Sequence, residues 1–450
     1  MTTRIRVPAR LFVCICFAAL AGCGSPANNP APDGGSGDCV EPTGAGTMHG
    51  SISSDETWTA AASPHLLPYD TEITATVTLE PCTEVRIGAG KTITVTGNGR
   101  IVAKGVDGRP VAFVPMDTAQ PWASMRAEAG GRLDLEYTGL VGGGDPLNFS
   151  PPLAATIDLR ADQALPPAEV LHADHLLVQD SASNGIYLHE SGGFSATSNG
   201  VIVTGSKGYP IHSWSNLAGT IPFGNYTGNA SDEILLTAMG QFETIANWDV
   251  TFHDRGVPYH VGTISSAGSL RVGTNPNRVA TLTIEPGVVM RFKAGGDLEI
   301  EHFSGTNAAT AALVALGTAA NPIRFTSAAD TPAAGDWLGL YFGEIPDATT
   351  QLDNVSVEFA GGTSVSGSES CLYPNMPIND AAIRIGGAPA VAFITNSTIS
   401  DSAAHGIDRG FRDDAKPDFL PTNTFVNVAA CKQTYPRDVS GACPTPVPCP

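Results

Sequence analysis

Several residues of this 450-residue chain are of types that do chemistry. Asp180 and Asp401 each open an Asp-Ser-Ala tripeptide, and His405-Gly406 follows the second. Cleaving a glycosidic bond takes two or three carboxylates about 5–10 Å apart, and a histidine beside them could serve as base. Asp413, Asp414 and Asp418, in DRGFRDDAKPD, offer the oxygen ligands that Ca²⁺ takes, without the regular spacing of a calcium loop. Trp214 and Tyr226 lie between strand-like segments, where an aromatic ring could carry a sugar. His172 and His175, with His189 further on, are imidazoles that a metal could use.

Each of these also has a structural reading. An Asp at the head of a turn bonds the backbone two residues on and ends a strand. Asn184-Gly185 holds the place in one half of the chain that His405-Gly406 holds in the other, so the position reads as a turn that accepts either residue. His172 and His175 are an odd number of residues apart and face opposite ways on a strand, so they read as exposed polar residues rather than a zinc pair. The acidic run 408–418 reads as a solvated C-terminal cap. The two aromatics read equally as packing beneath a loop.

What must position these residues is a duplication. VTLEPCTEVRI at 77–87 recurs as LTIEPGVVMRF at 282–292. Glu80 and Arg86 therefore recur as Glu285 and Arg291, which reads as an ion pair capping a coil, because one active site would need the pair once. The match continues in order. Trp58 with Pro68-Tyr69 answers Trp248 with Pro258-Tyr259, and RIVAKGVDGRPVAF (100–113) answers ALVALGTAANPIRF (312–325). Trp122 answers Trp337, Leu133-Asp134 answers Leu352-Asp353, Gly142-Gly143 answers Gly361-Gly362, and VQDSASNGI (178–186) answers ISDSAAHGI (399–407). Copy one spans 51–244 and copy two 245–430, ahead of a Cys- and Pro-rich tail at 431–450.

Within each copy the apolar segments are short, β-branched and bounded by Gly, Asn, Asp and Pro. They repeat every 20–25 residues or so, a solenoid period. At about 4.8 Å per strand, roughly ten to fourteen coils would make a rod of about 50–65 Å. A β-sandwich would need Asn-Gly hairpins between paired strands, and these are sparse.

LTIEPGVVMRF, ALGTAANPIRFTS, GDWLGLYF and ISDSAAHGI together resemble the secreted bacterial β-helix-repeat proteins, over about 370 residues. The resemblance implies an all-β, right-handed parallel β-helix of the pectin-lyase-like kind, a family whose members mostly have no assigned activity. Polysaccharide lyases and glycoside hydrolases share that architecture, and a polygalacturonase-like site would want adjacent aspartates and Gly-His-Gly, of which the second motif is represented only by His405-Gly406.

The N-terminus carries an address. Arg4, Arg6 and Arg10 precede a short apolar run that ends Leu20-Ala21-Gly22-Cys23. This resembles a bacterial lipoprotein signal over residues 1–22, which implies acylation of Cys23. Residues 23–50 then read as a flexible stalk. Gly24, where Asp would hold a lipoprotein at the inner membrane, leans toward the outer membrane, on its periplasmic face or the cell surface.

Nine cysteines are present. With Cys14 and Cys16 lost and Cys23 acylated, Cys39, Cys82, Cys371, Cys431, Cys443 and Cys449 remain for disulfides in an oxidising compartment. Cys39–Cys82 would clamp the stalk to the first coil, and the other four would pin the far end. Their connectivity stays open.

The chain carries 24 basic and 44 acidic residues, a net charge of −20, and −23 without the three signal arginines. Such a field repels nucleic acid and anionic headgroups. It favours divalent cations and would grip an acidic polysaccharide only through bridging Ca²⁺. The expected protein is a lipid-anchored, extracytoplasmic β-helix that binds glycan or another surface protein without catalysis. Its alternatives are a polysaccharide lyase or glycoside hydrolase, and a spacer that holds a partner protein off the membrane.

Overall fold

The computed structural model describes residues 38–146, 154–161, 166–237, 244–262, 268–275, 277–301, 310–343, 345–364, 370–374, 378–412 and 417–449. The signal segment, Cys23, most of the stalk, Asp413 and Asp414 lie outside these residues. The described chain is an all-β solenoid, a parallel β-helix in which every strand-to-strand ladder is parallel.

Each coil contributes strands to three faces. In copy one the first face holds Glu56–Trp58, Thr76–Leu79 and Arg100–Lys104, continued by the first half of Arg132–Val141 and of Ala168–Gln179. The second face holds His65–Leu67, Glu84–Ile87 and Val111–Pro115, continued by the second halves of the same two long strands. The third face holds Thr71–Ile73, Ile93–Val95, Met125–Ala127, Ala155–Leu159, Asn184–Leu188, Ile211–Trp214 and Ile234–Thr237.

On the first two faces burial alternates along the strand, as in Arg100–Lys104, where Ile101 and Ala103 point inward. Inward residues stack coil on coil: Val77, Ile101, Leu133 and Leu171 lie in register and are each no more than 1 % exposed. Each such side chain contributes about 1.5–3 kcal/mol on burial. The third face departs from this pattern, because Ala155–Leu159 and Asn184–Leu188 are buried on both sides.

The third face of copy one belongs to a sheet of 13 strands that runs on into copy two. At about 4.8 Å per strand it spans roughly 58 Å. Its rungs are less evenly spaced in sequence than a period of 20–25 residues: 22 separate Thr71 from Ile93, and 42 separate Val357 from Ile399. Loops between faces take up the difference.

Backbone bonds fix how the copies correspond, and they correct four sequence pairings. Glu80 N donates to Trp58 O and Glu285 N to Phe252 O, so Trp58 answers Phe252, not Trp248. Trp58 stacks on His65 and Phe252 on Tyr259, each at 5.1 Å, so Pro64-His65 rather than Pro68-Tyr69 answers Pro258-Tyr259. Gly105 N donates to Glu136 O and Gly317 N to Asp353 O, which pairs Glu136, not Asp134, with Asp353. Gly144 N donates to Ala123 O and Gly361 N to Leu338 O, so Gly144 is the partner of Gly361. Both of these glycines have φ near +80°, and a Cβ on them would lie 2.2 Å from Ser181 Oγ and 2.4 Å from Ser402 Oγ.

Among the described residues there are three disulfides, Cys39–Cys82, Cys371–Cys443 and Cys431–Cys449. The first ties the chain ahead of the body to the Glu-Pro turn of copy one. Cys371–Cys443 ties the tail to copy two, and Cys431–Cys449 closes the tail on itself. Glu80 and Arg86 do not pair: Arg86 Nε donates to Glu84 at 2.5 Å. Glu285 and Arg291 do not pair either. Glu285 bonds His253 at 2.8 Å, and Arg291 reaches Glu233. Glu80 and Glu285 lie in turns, after Thr76–Leu79 and Ala280–Ile284, and Arg86 and Arg291 in the strands that follow, so the members of each pair meet different neighbours.

Candidate functional site

The structure takes most of the sequence candidates into the scaffold. Asp180 and Asp401 occupy equivalent turns at φ 55° and 52°, each with its own amide partner. Gln179 Nε2 donates to Asp180 at 3.2 Å and Asn427 Nδ2 to Asp401 at 3.0 Å. They form no carboxylate row, because they punctuate different copies.

His405 is fully buried, and its Nδ1 accepts from Cys431 N at 3.1 Å. Asn184 Oδ1 does the same job in copy one, accepting from Tyr209 N at 3.0 Å. Burial pushes the His405 imidazole down to about 4, against the pull of that backbone bond and of Asp380. It is a neutral strut rather than a base at a surface.

Asp418 accepts from Leu420 N and from Gln433 Nε2, and so caps a turn. Trp214 is 8 % exposed and Tyr226 1 %, both within the hydrophobic core, so neither is a sugar platform. Tyr226 instead donates its hydroxyl to Pro222 O at 2.8 Å. His189 is buried too, which corrects the expectation of an exposed imidazole.

His189 belongs to a polar network on the covered third face. Its Nε2 meets Asp158 Oδ1 at 2.6 Å, and Arg126 and Arg160 each donate to Asp158 Oδ2 at 2.9 Å. Burial alone would raise the Asp158 carboxyl, but the bonds and charges of His189 and Arg160 outweigh it and hold it near 2. The ladder continues outward from Asp158 through Tyr187 and His212, whose rings stack at 4.4 Å.

The solvent-facing side of the first face in copy one is different. Outward residues of neighbouring strands stand side by side in register: Arg100 with Arg132, Asp134 with His172, and Lys104 with Glu136 and Asp174. Arg100, Arg132, Asp134, Glu169, His172 and Ser195 line a depression of about 300 Å³. His172 Nδ1 lies 3.1 Å from both Ser195 Oγ and Thr197 Oγ1, which turns Nε2 toward Asp134, 4.0 Å away. Asp134 Oδ1 is shut off from solvent and has no hydrogen-bond partner. Ligand atoms of Asp134, Glu136 and His172 all fall within 4.8 Å of one another.

At the edge of this patch the two long strands turn a corner. Tyr137 and His175 take φ of 40° and 54° there, and their rings stack at 4.4 Å. His175 Nδ1 also bonds Asp174 at 2.8 Å. Copy two makes the same corner with Asn354 and Asn396, a residue type that tolerates the left-handed region. A tyrosine in that region is strained, and strain of this kind gathers at functional sites.

Asp134, Glu136, Arg132 and Tyr137 drew no functional reading from the sequence. The signal that finds them is the difference between copies. Copy two places Gln351, Asp353 and Phe393 where copy one has Asp134, Glu136 and His172. Asp353 Oδ1 is bonded by Thr395 Oγ1 and Asn396 Nδ2, both at 2.7 Å. Those bonds, Thr395 first, hold its carboxyl below the usual range. Set against known proteins, the chain matches no family model, no curated protein and no solved structure, so its functional reading rests on this patch.

Proposed function

We propose that this protein is an exported, lipid-anchored binding rod of the secreted β-helix-repeat kind, held at the outer membrane through Cys23. In this reading it holds a glycan against the first face of copy one without cleaving it. The observation that carries the reading is the depression between Arg100, Arg132, Asp134 and His172, beside the Tyr137–His175 stack. Few sites bind sugars without planar polar groups that bond hydroxyls in pairs and an aromatic face for the ring. The net charge of −20 favours a neutral or cationic polymer over an acidic one.

The test is binding of the purified protein to a broad panel of cell-wall and extracellular polysaccharides. At least one should bind, and Arg100→Ala with Arg132→Ala should weaken it tenfold or more. Binding to none of them, or binding indifferent to the double substitution, overturns the reading. The same panel, followed for chain shortening or unsaturated products, tests the second reading, a polysaccharide lyase or hydrolase. The approach of His172 to Asp134 in one groove favours that alternative.

A further inference from the structure

We propose that Asp134, Glu136 and His172 form a binding site for a divalent transition metal, of the kind Zn²⁺ typifies. Asp134 and Glu136 alternate along one strand and so share its outer face. His172 stands opposite Asp134 on the next strand. The three ligand atoms lie within 4.8 Å of one another, and the Asp134–His172 separation is 4.0 Å. A tetrahedral ion about 2.1 Å from each ligand sets them about 3.4 Å apart, so the Asp134–His172 pair and Glu136 both close by small side-chain adjustments.

Two further observations point to a cation rather than to surface acidity alone. Among the described residues Asp134 Oδ1 accepts no hydrogen bond and is turned from water, while the side chain as a whole is 44 % exposed, so a metal would give that oxygen the partner it lacks. His172 is held by the other ring nitrogen, between the hydroxyls of Ser195 and Thr197. A second partner that fixes tautomer and orientation is what a metal-ligating histidine has.

The donor set selects the class of ion. One imidazole and two carboxylates suit zinc and its first-row neighbours. Ca²⁺ would want about six to eight oxygens. Three protein ligands leave a position open to solvent or to a bound molecule. Arg132 does not oppose the ion directly, since its guanidinium bonds the carbonyl of Glu169. Copy two carries Gln351 and Phe393 at two of the three positions and keeps only Asp353.

Calorimetric titration of the purified, chelator-stripped protein with Zn²⁺ should show one saturable site per chain, retained in excess Ca²⁺. His172→Gln and Asp134→Asn should each weaken it at least tenfold, whereas Asp353→Asn in copy two should not. Both altered residues are partly exposed, so the fold should survive, and an unchanged thermal melt without metal verifies it. A variant that misfolds is replaced by Glu136→Gln, for which the same loss is expected. Absence of saturable binding overturns the proposal, and so does equal affinity in the wild type and the variants.

Discussion

The two copies share a scaffold and differ in what they display on it. Their turns agree to the atom. Ser181 Oγ donates to Asn184 O at 2.6 Å, and Ser402 Oγ to His405 O at 2.8 Å. Trp122 Nε1 donates to Val141 O and Trp337 Nε1 to Glu358 O, both at 2.8 Å. Where the copies part, the polar chemistry changes entirely. Asp158, clasped by two arginines and a histidine, answers Arg384, which stacks near Tyr341 and donates to Ser364. A tight turn tolerates few residues, because its backbone bonds must be satisfied. An outward position on a sheet tolerates many. Recurrence therefore marks structure, and divergence marks the places free to acquire a task.

This contrast can be broken most severely on the third face. Asp158→Ala removes the buried carboxylate that Arg126, Arg160 and His189 all bond, and should cost about 3–5 kcal/mol. Asp353→Ala, at a half-buried position beside the corner of copy two, should cost about 1 kcal/mol or less. Chemical denaturation of the two variants measures the difference, and equal losses would dissolve the contrast.

Next in size is the staple that copy one has and copy two lacks. Cys82 stands where copy two has Gly287, and the Cys39–Cys82 bond closes a separation of 43 residues. Loop entropy credits such a bond with up to about 4 kcal/mol, more usually 2–4. Cys39→Ala with Cys82→Ala should lower the melting midpoint and make residues 38–50 the first to be cut by protease. A melt unchanged by the double substitution would show that the staple holds nothing.

The smallest effect is one of pH. Asp158 has its folded carboxyl pulled down to about 2, so its stabilisation is complete above the unfolded value near 4 and is lost as pH falls from there toward 2. His405 is depressed to about 4 in the fold, so the neutral ring's contribution is full above about 6.5 and declines as pH falls toward 4. Asp297, raised to about 7 by burial and by Glu299, runs the other way and favours the fold as pH drops from 7 toward 4. Copy two should thus respond to pH between 4 and 7 and the Asp158 network only below 4. Melting across pH 2–8 should lose the acid limb in Asp158→Asn, and in His405→Gln should keep only the opposite slope of Asp297 between 4 and 7. Retention of both limbs would refute the assignment.

Much of the scaffold was legible because burial and turn chemistry write themselves into residue types. Asn184 and His405, unlike as side chains, could be recognised as one turn position from the shared Asp-Ser-Ala before them. The Glu-Pro turns marked the entry of each half. The candidate site was not legible in the same way. Asp134 and His172 are 38 positions apart, and nothing in the spacing says that two coils bring them side by side. Trp214 and Tyr226 misled because a ring at a loop and a ring under a loop look alike in sequence.

The sequence by itself determined a duplicated body of short parallel strands, with its turns, its core columns and its cysteines. Only the tertiary structure decided which sheet each strand would join. In copy one the second strands, such as Glu84–Ile87, lie in a 12-stranded sheet. Their counterparts in copy two, such as Val289–Phe292, instead extend the third face of copy one. The copies are out of step by one face. The slip occurs where the 3-10 turn Ser215–Thr220 replaces a first-face strand, the second face ends at Gly224–Asn225, and the lone bridge Ile245–Val272 starts a new third face. A strand's own residues set which side is buried. Its hydrogen-bond partner is set by whichever strand the preceding coil leaves open, and that is a property of the stack rather than of any one segment.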